Sequence, residues 1–122
     1  MRYSGIYPVL YAFFGQDGRL DDAAMRAQVE HCLAAGAHGI TVLGLVTEVN
    51  KLDTAERRHL VDVVGAAIAK RVPYAVTIAE PDVEGQIAFA RHAKQAGADW
   101  AILQPPPGAG IPERELQRHF GA

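Results

Sequence analysis

Short apolar runs alternate along the chain with longer segments in which apolar residues recur every fourth position. The short runs, rich in β-branched residues, cover positions 6–14, 39–43, 74–78 and 100–104. Helical spacing is clearest in the first longer segment, at Met25, Val29 and Leu33. Such alternation is typical of repeated βα units around a parallel sheet. The sequence therefore predicts an α/β fold with about four parallel strands and three to four helices.

Capping residues stand where the predicted helices begin. Asp21 or Asp22 precedes the first helix, and Asp53 followed by Glu56 has the spacing of a capping box. Gly36 follows the first helix, where a left-handed residue commonly ends a helix. Residues 35–40 are echoed by residues 96–102, which predicts the same helix-to-strand turn in two successive units. No stretch has the composition of a linker, so residues 1–122 are interpreted as a single folding unit.

Charge and composition exclude several classes of function. The chain has 122 residues with 12 Lys+Arg and 14 Asp+Glu, a formal charge of −2 that gives no field for nucleic acid. No apolar run approaches the roughly 18 residues of a membrane helix, and no signal peptide opens the chain, so we expect a cytoplasmic protein. Cys32 stands alone inside an apolar helical pattern, which predicts a core residue and no disulfide. The histidines lack metal-ligand spacing and no glycine-rich phosphate loop occurs, so we expect neither metal nor cofactor.

Functional groups of parallel α/β folds collect in the loops that follow the strands, here residues 14–19, 44–51, 79–82 and 105–111. The second loop is the most informative, because Gly44 permits a close turn, Thr47 offers a hydroxyl and Glu48 supplies a carboxylate. Backbone amides and the Thr47 hydroxyl could hold the carboxylate of a substrate there. The alternative is that Thr47 and Glu48 only tie the loop to itself or to the next helix.

Several motifs carry a resemblance to a known family. They are Gly-Ile-Tyr-Pro-Val-Leu at 5–10, Gly-Ala-His-Gly-Ile-Thr-Val-Leu-Gly at 36–44, Glu48, Arg-Val-Pro at 71–73 and the segment 90–99. Together they resemble the N-terminal part of the dihydrodipicolinate synthase and N-acetylneuraminate lyase family. The resemblance covers nearly the whole chain but only about the first half of a (β/α)8 TIM barrel, which usually needs about 250 residues. It therefore implies a truncated barrel.

The resemblance also implies an activity. Members of this family are class I aldolases, in which a lysine on a strand forms a Schiff base with pyruvate or another 2-oxo acid, without metal or cofactor. The substrate-binding loop of the family normally reads Gly-Thr-Thr-Gly-Glu, and the matching positions here are Gly44, Leu45, Val46, Thr47 and Glu48. Of these, Gly44, Val46, Thr47 and Glu48 are the candidate substrate-binding residues, although only the first and last retain the family residue.

Val46 and Pro107 lack the hydroxyls found at these positions in the family, which implies a divergent branch, and the nucleophilic lysine is also missing. Pro107 stands where the family has a tyrosine that relays a proton, which a proline cannot do. The only lysines, Lys51, Lys70 and Lys94, fall in loop or helical segments, whereas the nucleophile needs a buried strand where desolvation lowers its pKa. The leading hypothesis is thus part of a Schiff-base lyase or aldolase whose nucleophile is absent from this chain. The alternative is a non-catalytic fragment or binding module that folds only with a partner.

A third hypothesis, a doubly wound domain that binds phosphate or flavin, suits the length but lacks a glycine-rich loop after the first strand. Under the leading hypothesis, a half barrel exposes unpaired strand edges and an apolar inner face. We therefore expect a homo-oligomer that acts on a small 2-oxo acid.

Overall fold

A computed structural model describes residues 4–104 and 113–121 of the chain. In these ranges helices alternate with the strands of one parallel sheet. The helices are α1 (Asp22–Ala34), α2 (Thr54–Ile68), α3 (Val83–Gln95) and α4 (Glu113–Phe120). The strands are β1 (Ile40–Val42), β2 (Tyr74–Ile78) and β3 (Trp100–Leu103). The predicted α/β class is confirmed.

The sheet has the order β1-β2-β3, so each βα unit places its strand beside the preceding one. Thr41 of β1 lies opposite Ala75 of β2, and Thr77 of β2 lies opposite Ile102 of β3, all in parallel register. Sequential parallel strands joined by helices are the arrangement of a (β/α) barrel wall. The carboxyl ends of the three strands consequently meet at one edge.

The expected strand over residues 6–14 is corrected to a single parallel bridge between Val9 and Thr41, so the described sheet has three strands rather than four. Pro8 is one reason, because it has no amide hydrogen to donate to the ladder. Leu43 is a second reason, because its left-handed φ of 64° ends β1 where a longer first strand would need a partner. The backbone of Tyr11 bonds to α1 instead. Its amide donates to Gln28 Oε1 at 2.9 Å, and its carbonyl accepts from Gln28 Nε2 at 3.0 Å. The ladder to β1 uses the Pro8 carbonyl and the Leu10 amide, so Tyr11 is held by α1 and not by the sheet.

Aspartate caps begin the first three helices, and the caps of the first two were predicted from the sequence. The Asp21 side chain accepts from the Ala24 amide at 3.0 Å. Asp53 and Glu56 form a complete capping box at the start of α2. At α3, the Asp82 side chain accepts from the Gly85 amide at 2.6 Å. These caps satisfy amides that have no acceptor within the helix.

The turn predicted to repeat at residues 35–40 and 96–102 is present after α1 and α3, although these units are separated by α2 and are not successive as predicted. Gly36 and Gly97 occupy the left-handed region, with φ of +89° and +104°. In each turn the next residue donates to a carbonyl five positions back, Ala37 to Cys32 at 3.1 Å and Ala98 to Ala93 at 2.9 Å. This is the Schellman pattern, which glycine permits because it has no Cβ. The turn directs the chain from each helix into the following strand.

The core lies between the sheet and the helices that cover one of its faces. Its fully buried members come from β1, β2 and all three of the helices α1 to α3, and they include Met25, Val29, Ile40, Val42, Leu60, Val64, Ile68, Val76, Ile78 and Phe89. Cys32 is partly buried and packs against this cluster, as its position in the helical pattern predicted. Burial raises the pKa of its thiol. Among the residues described, no helix has the length and apolar character needed to cross a membrane.

Candidate active-site rim

The loop between β1 and α2 leaves the sheet at the carboxyl ends of the strands. We call residues 44–52 the rim loop. It contains two short 3₁₀ turns, Leu45–Thr47 and Val49–Lys51. Leu43 and Glu48, the residues before and within the loop, have φ of 64° and 56°. Non-glycine residues adopt this left-handed conformation at an energetic cost, so the surrounding structure must impose it.

Gly44 opens the loop where it passes close to the first segment of the chain. A Cβ at this position would stand 2.9 Å from Cγ1 of Val9, which is closer than side chains approach one another. The backbone of Gly44 has a φ of −80°, which any residue could adopt. Glycine is therefore favoured by the lack of space beside Val9 and not by the torsion angle. The close turn predicted at Gly44 is therefore present.

Thr47 is buried, and its hydroxyl donates to the carbonyl of Leu10 at 2.5 Å. This bond joins the rim loop to the first segment of the chain. The hydroxyl proton is committed to a backbone acceptor, which favours the interpretation that Thr47 ties the loop in place. Direct contact between Thr47 and a substrate stays a prediction.

The other candidate residues of the loop lie closer to solvent. Glu48 is exposed, and its Oε1 lies 2.9 Å from Nζ of Lys51. Val46 is 42% exposed and Leu45 is 87% exposed. The structure thus places Gly44, Val46, Thr47 and Glu48 in one 3₁₀ turn and its two flanking residues. The side chain of Thr47 is buried, whereas those of Val46 and Glu48 are exposed. Pro107, the remaining position singled out from the sequence, lies outside the described residues.

A buried ion pair stands beside the rim loop. Nη2 of Arg57 lies 2.8 Å from Oε1 of Glu80, and the two side chains are only 12% and 9% exposed. Glu80 follows β2, so it belongs to the same edge of the sheet as the rim loop. Its Oε2 accepts from Oγ1 of Thr54 at 3.2 Å, and its carbonyl accepts from Nε2 of Gln86 at 2.9 Å.

The sequence patterns marked residues 79–82 as a rim segment but singled out neither Glu80 nor Arg57. The available signal was a carboxylate directly after an apolar strand, at the edge where functional groups collect. Its partner could not be read from the sequence, because the two residues are 23 positions apart.

None of the three lysines lies on a strand. Lys51 is 74% exposed at the rim and paired with Glu48. Lys70 follows α2 and donates to the carbonyl of Gly97 at 3.0 Å, whereas Lys94 is exposed in the last turn of α3. No group of three potential metal ligands is found among the described residues.

Curated relatives align with almost the whole chain. The 4-hydroxy-tetrahydrodipicolinate synthases of Agrobacterium fabrum and Chelativorans are 30% and 32% identical over 120 residues, which is 98% of this chain and 41% of each enzyme. Among solved structures, YagE from Escherichia coli K12 was crystallised in complex with pyruvate. It superposes with a TM-score of 0.91 and 28% identity over 98% of this chain and 40% of that chain.

The chain thus spans about 40% of the length of the relatives it matches. The predicted fold class, part of a TIM barrel, is confirmed by these matches. A sequence model described as the Dihydrodipicolinate synthetase family matches residues 2–122. The chain therefore belongs to the dihydrodipicolinate synthetase family.

Proposed function

We propose that this chain is the N-terminal part of a Schiff-base-forming lyase or aldolase that acts on pyruvate or a related 2-oxo acid. One observation carries the proposal. The rim loop follows β1 at the carboxyl edge of the sheet, in a chain whose fold matches that of a relative crystallised with pyruvate. Ligands of barrel enzymes bind at this edge.

In this proposal the rim loop receives the carboxylate of the 2-oxo acid. Leu45 and Val46 open a 3₁₀ turn, and amides at the start of a helical turn lack an acceptor within it. They are the proposed donors to the carboxylate. Gly44 allows the turn, Thr47 fixes it to Leu10, and Glu48 places a carboxylate at its edge.

The bond-forming step requires a lysine that this chain does not supply. A neutral amine adds to the ketone carbon of pyruvate and water leaves, which gives an imine whose protonated form accepts electrons from the neighbouring carbon. The reaction therefore needs no metal or cofactor. We propose that the nucleophile is not Lys51, Lys70 or Lys94, because a buried strand position is what favours the neutral amine. Residue 107 is a proline, so the proposed proton path does not use its side chain.

One observation favours the second candidate, a non-catalytic module that folds with a partner. The side chains of β3 are largely exposed, and Leu103 retains 50% of its accessible surface. Apolar surface of this kind is usually covered in a finished assembly. The proposed occupant under either function is a second copy of this chain, which makes the protein a homo-oligomer.

Titration of the ¹⁵N-labelled chain with pyruvate tests the proposed function. We expect saturable shifts of the amide signals of Leu45 and Val46, because these amides lack an acceptor within the turn and approach the carboxylate. Pyruvamide, which keeps the ketone but lacks the carboxylate, should leave them unchanged. An absence of loop shifts with pyruvate, or equal shifts with pyruvamide, would contradict the proposal.

The role of Thr47 is tested by a matched pair of variants. Thr47→Val removes the hydroxyl that reaches Leu10, and we expect it to weaken pyruvate binding by about twofold to tenfold, the range of one hydrogen bond. Thr47→Ser keeps the hydroxyl and should bind like the unmodified chain. Equal affinity of the two variants would show that the Leu10 bond has no influence on the site.

A further inference from the structure

We propose that Arg57 and Glu80 are positioning residues that set the conformation of the rim loop. Arg57 acts on the loop directly, and Glu80 acts by holding Arg57. The inference rests on the proposed function in one respect, namely that the rim loop is the site for the 2-oxo acid.

Arg57 is fully engaged by protein acceptors. Its Nε and Nη2 lie 3.2 and 2.8 Å from Oε1 of Glu80, and Nη2 also donates to Oγ1 of Thr54 at 3.1 Å. Its Nη1 donates to the carbonyl of Leu52 at 2.6 Å and to that of Val49 at 3.5 Å. A guanidinium has five N–H donors, so these contacts use all of them. Because no donor remains for a ligand, Arg57 is a residue that orients the loop and does not bind substrate.

The two carbonyls held by Arg57 belong to the second turn of the rim loop and the residue after it. Within that turn, only short-range bonds occur, from Lys51 to the Glu48 carbonyl at 2.8 Å and from Leu52 to the Val49 carbonyl at 3.2 Å. A single 3₁₀ turn is weak on its own, and Glu48 at its start is held in a left-handed conformation. The guanidinium of Arg57 lies outside the turn and stabilises it through hydrogen bonds to the carbonyls of Val49 and Leu52.

Burial of the Arg57–Glu80 ion pair holds the guanidinium in one orientation. An exposed ion pair contributes little, whereas removal of one partner from a buried pair leaves a charge without compensation. Glu80 is itself fixed by α2 through Thr54 and by α3 through Gln86. The pair therefore connects the rim loop to two helices and to the end of β2.

Arg71 offers a control elsewhere in the chain, in an ion pair that is exposed whereas that of Arg57 is buried. Its Nη2 lies 2.5 Å from Oε1 of Glu30, and it also donates to the carbonyls of Ala67 and Ile68 at 2.5 and 3.1 Å. Like Arg57, it combines a glutamate with two backbone carbonyls. No rim-loop residue is among these partners.

Hydrogen exchange of the 122-residue chain tests the inference. The reporters are the hydrogen-bonded amides of Thr47, Glu48, Lys51 and Leu52. We expect Arg57→Gln to accelerate their exchange by about tenfold or more beyond any acceleration of the β2 amides, which report the loss of global stability. The double variant Arg57→Gln/Glu80→Gln should show the same acceleration, because the loop still lacks its donors. Arg71→Gln should leave the loop amides as they are.

A second measurement separates positioning from general stability. We expect Arg57→Gln and Arg57→Lys both to weaken pyruvate binding by about tenfold, since a lysine keeps the charge but not the five-donor fork. Arg57→Lys also retains a counter-charge for Glu80, so it tests the inference if the glutamine variant does not fold. Arg71→Gln should bind pyruvate normally.

Three results would overturn the inference: restored loop protection in the double variant, normal loop protection in Arg57→Lys, or equal acceleration in Arg71→Gln. If the unmodified chain binds no pyruvate, the proposed function fails, while the exchange measurements still decide whether Arg57 positions the loop.

Discussion

Tyr74, the first residue of β2, carries its hydroxyl beneath α2. The hydroxyl donates to the carbonyl of Val61 at 3.0 Å and is excluded from solvent. Burial raises the pKa of Tyr74 well above its usual value, and the carboxylate of Asp62 raises it further. The folded state therefore holds this proton more tightly than the unfolded state does.

This pKa shift predicts a pH dependence of stability. An unfolded tyrosine loses its proton near pH 10, so below that pH the contribution of Tyr74 is complete. As the pH rises above about 10, unfolding releases the proton and the free energy of unfolding falls. We expect Tyr74→Phe to reduce this alkaline loss, at a cost near neutral pH of about 1 kcal/mol for the missing hydrogen bond.

Urea unfolding at neutral pH and near pH 10.5 measures this effect. Tyr11→Phe is the control, because Tyr11 is 58% exposed. The same alkaline loss in Tyr74→Phe as in the unmodified chain would contradict the assignment.

Between elements, α2 approaches the end of α3 closely at Gly65. A Cβ on Gly65 would lie 2.2 Å from the carbonyl oxygen of Ala96, which no side chain can do without a shift of the backbone. Alanine ordinarily stabilises a helix relative to glycine by about 1 kcal/mol. Here overpacking reverses the sign, so we expect Gly65→Ala to destabilise the chain by about 1–3 kcal/mol.

Thermal or urea unfolding checks this prediction. Ala66→Gly, at an exposed position of the same helix, measures the propensity effect alone and should cost about 1 kcal/mol. A Gly65→Ala variant more stable than the unmodified chain would show that the two helices are not held at this distance.

For single helices and strands, the features that depend on residues close in sequence were predictable from the sequence. The Asp21 and Asp53 caps depend only on contacts within one turn, and the turn at Gly36 depends on one left-handed residue. The first strand was predicted too long, because its apolar pattern does not reveal the left-handed turn at Leu43 that ends its partner strand β1.

The candidate site was predictable to a similar degree. The position of the rim loop followed from the alternation of strands and helices. The bond from Thr47 to Leu10 and the pairing of Arg57 with Glu80 join residues 37 and 23 positions apart. Such contacts depend on how the complete sheet places its loops, which local patterns do not encode.

For the whole molecule, the open side of the sheet determines behaviour in solution. Apolar side chains are exposed on the first segment and on β3, among them Ile6 at 72% and Leu103 at 50%. We expect the chain to associate with a second copy. The dissociated chain should bind a hydrophobic dye. Light scattering after size exclusion checks this. A monodisperse 13.1 kDa species that binds no dye would contradict it.

The central proposal is that this chain supplies the rim loop of a Schiff-base enzyme without supplying the nucleophile. An amine must be neutral to attack pyruvate, and Lys51, the lysine within the rim loop, is 74% exposed and paired with Glu48. The most direct measurement is the intact mass after incubation with pyruvate and borohydride, which reduces any imine to a stable adduct. We predict an unchanged mass apart from slow, non-selective labelling of surface lysines. A rapid stoichiometric adduct mapped to Lys51 would contradict the account.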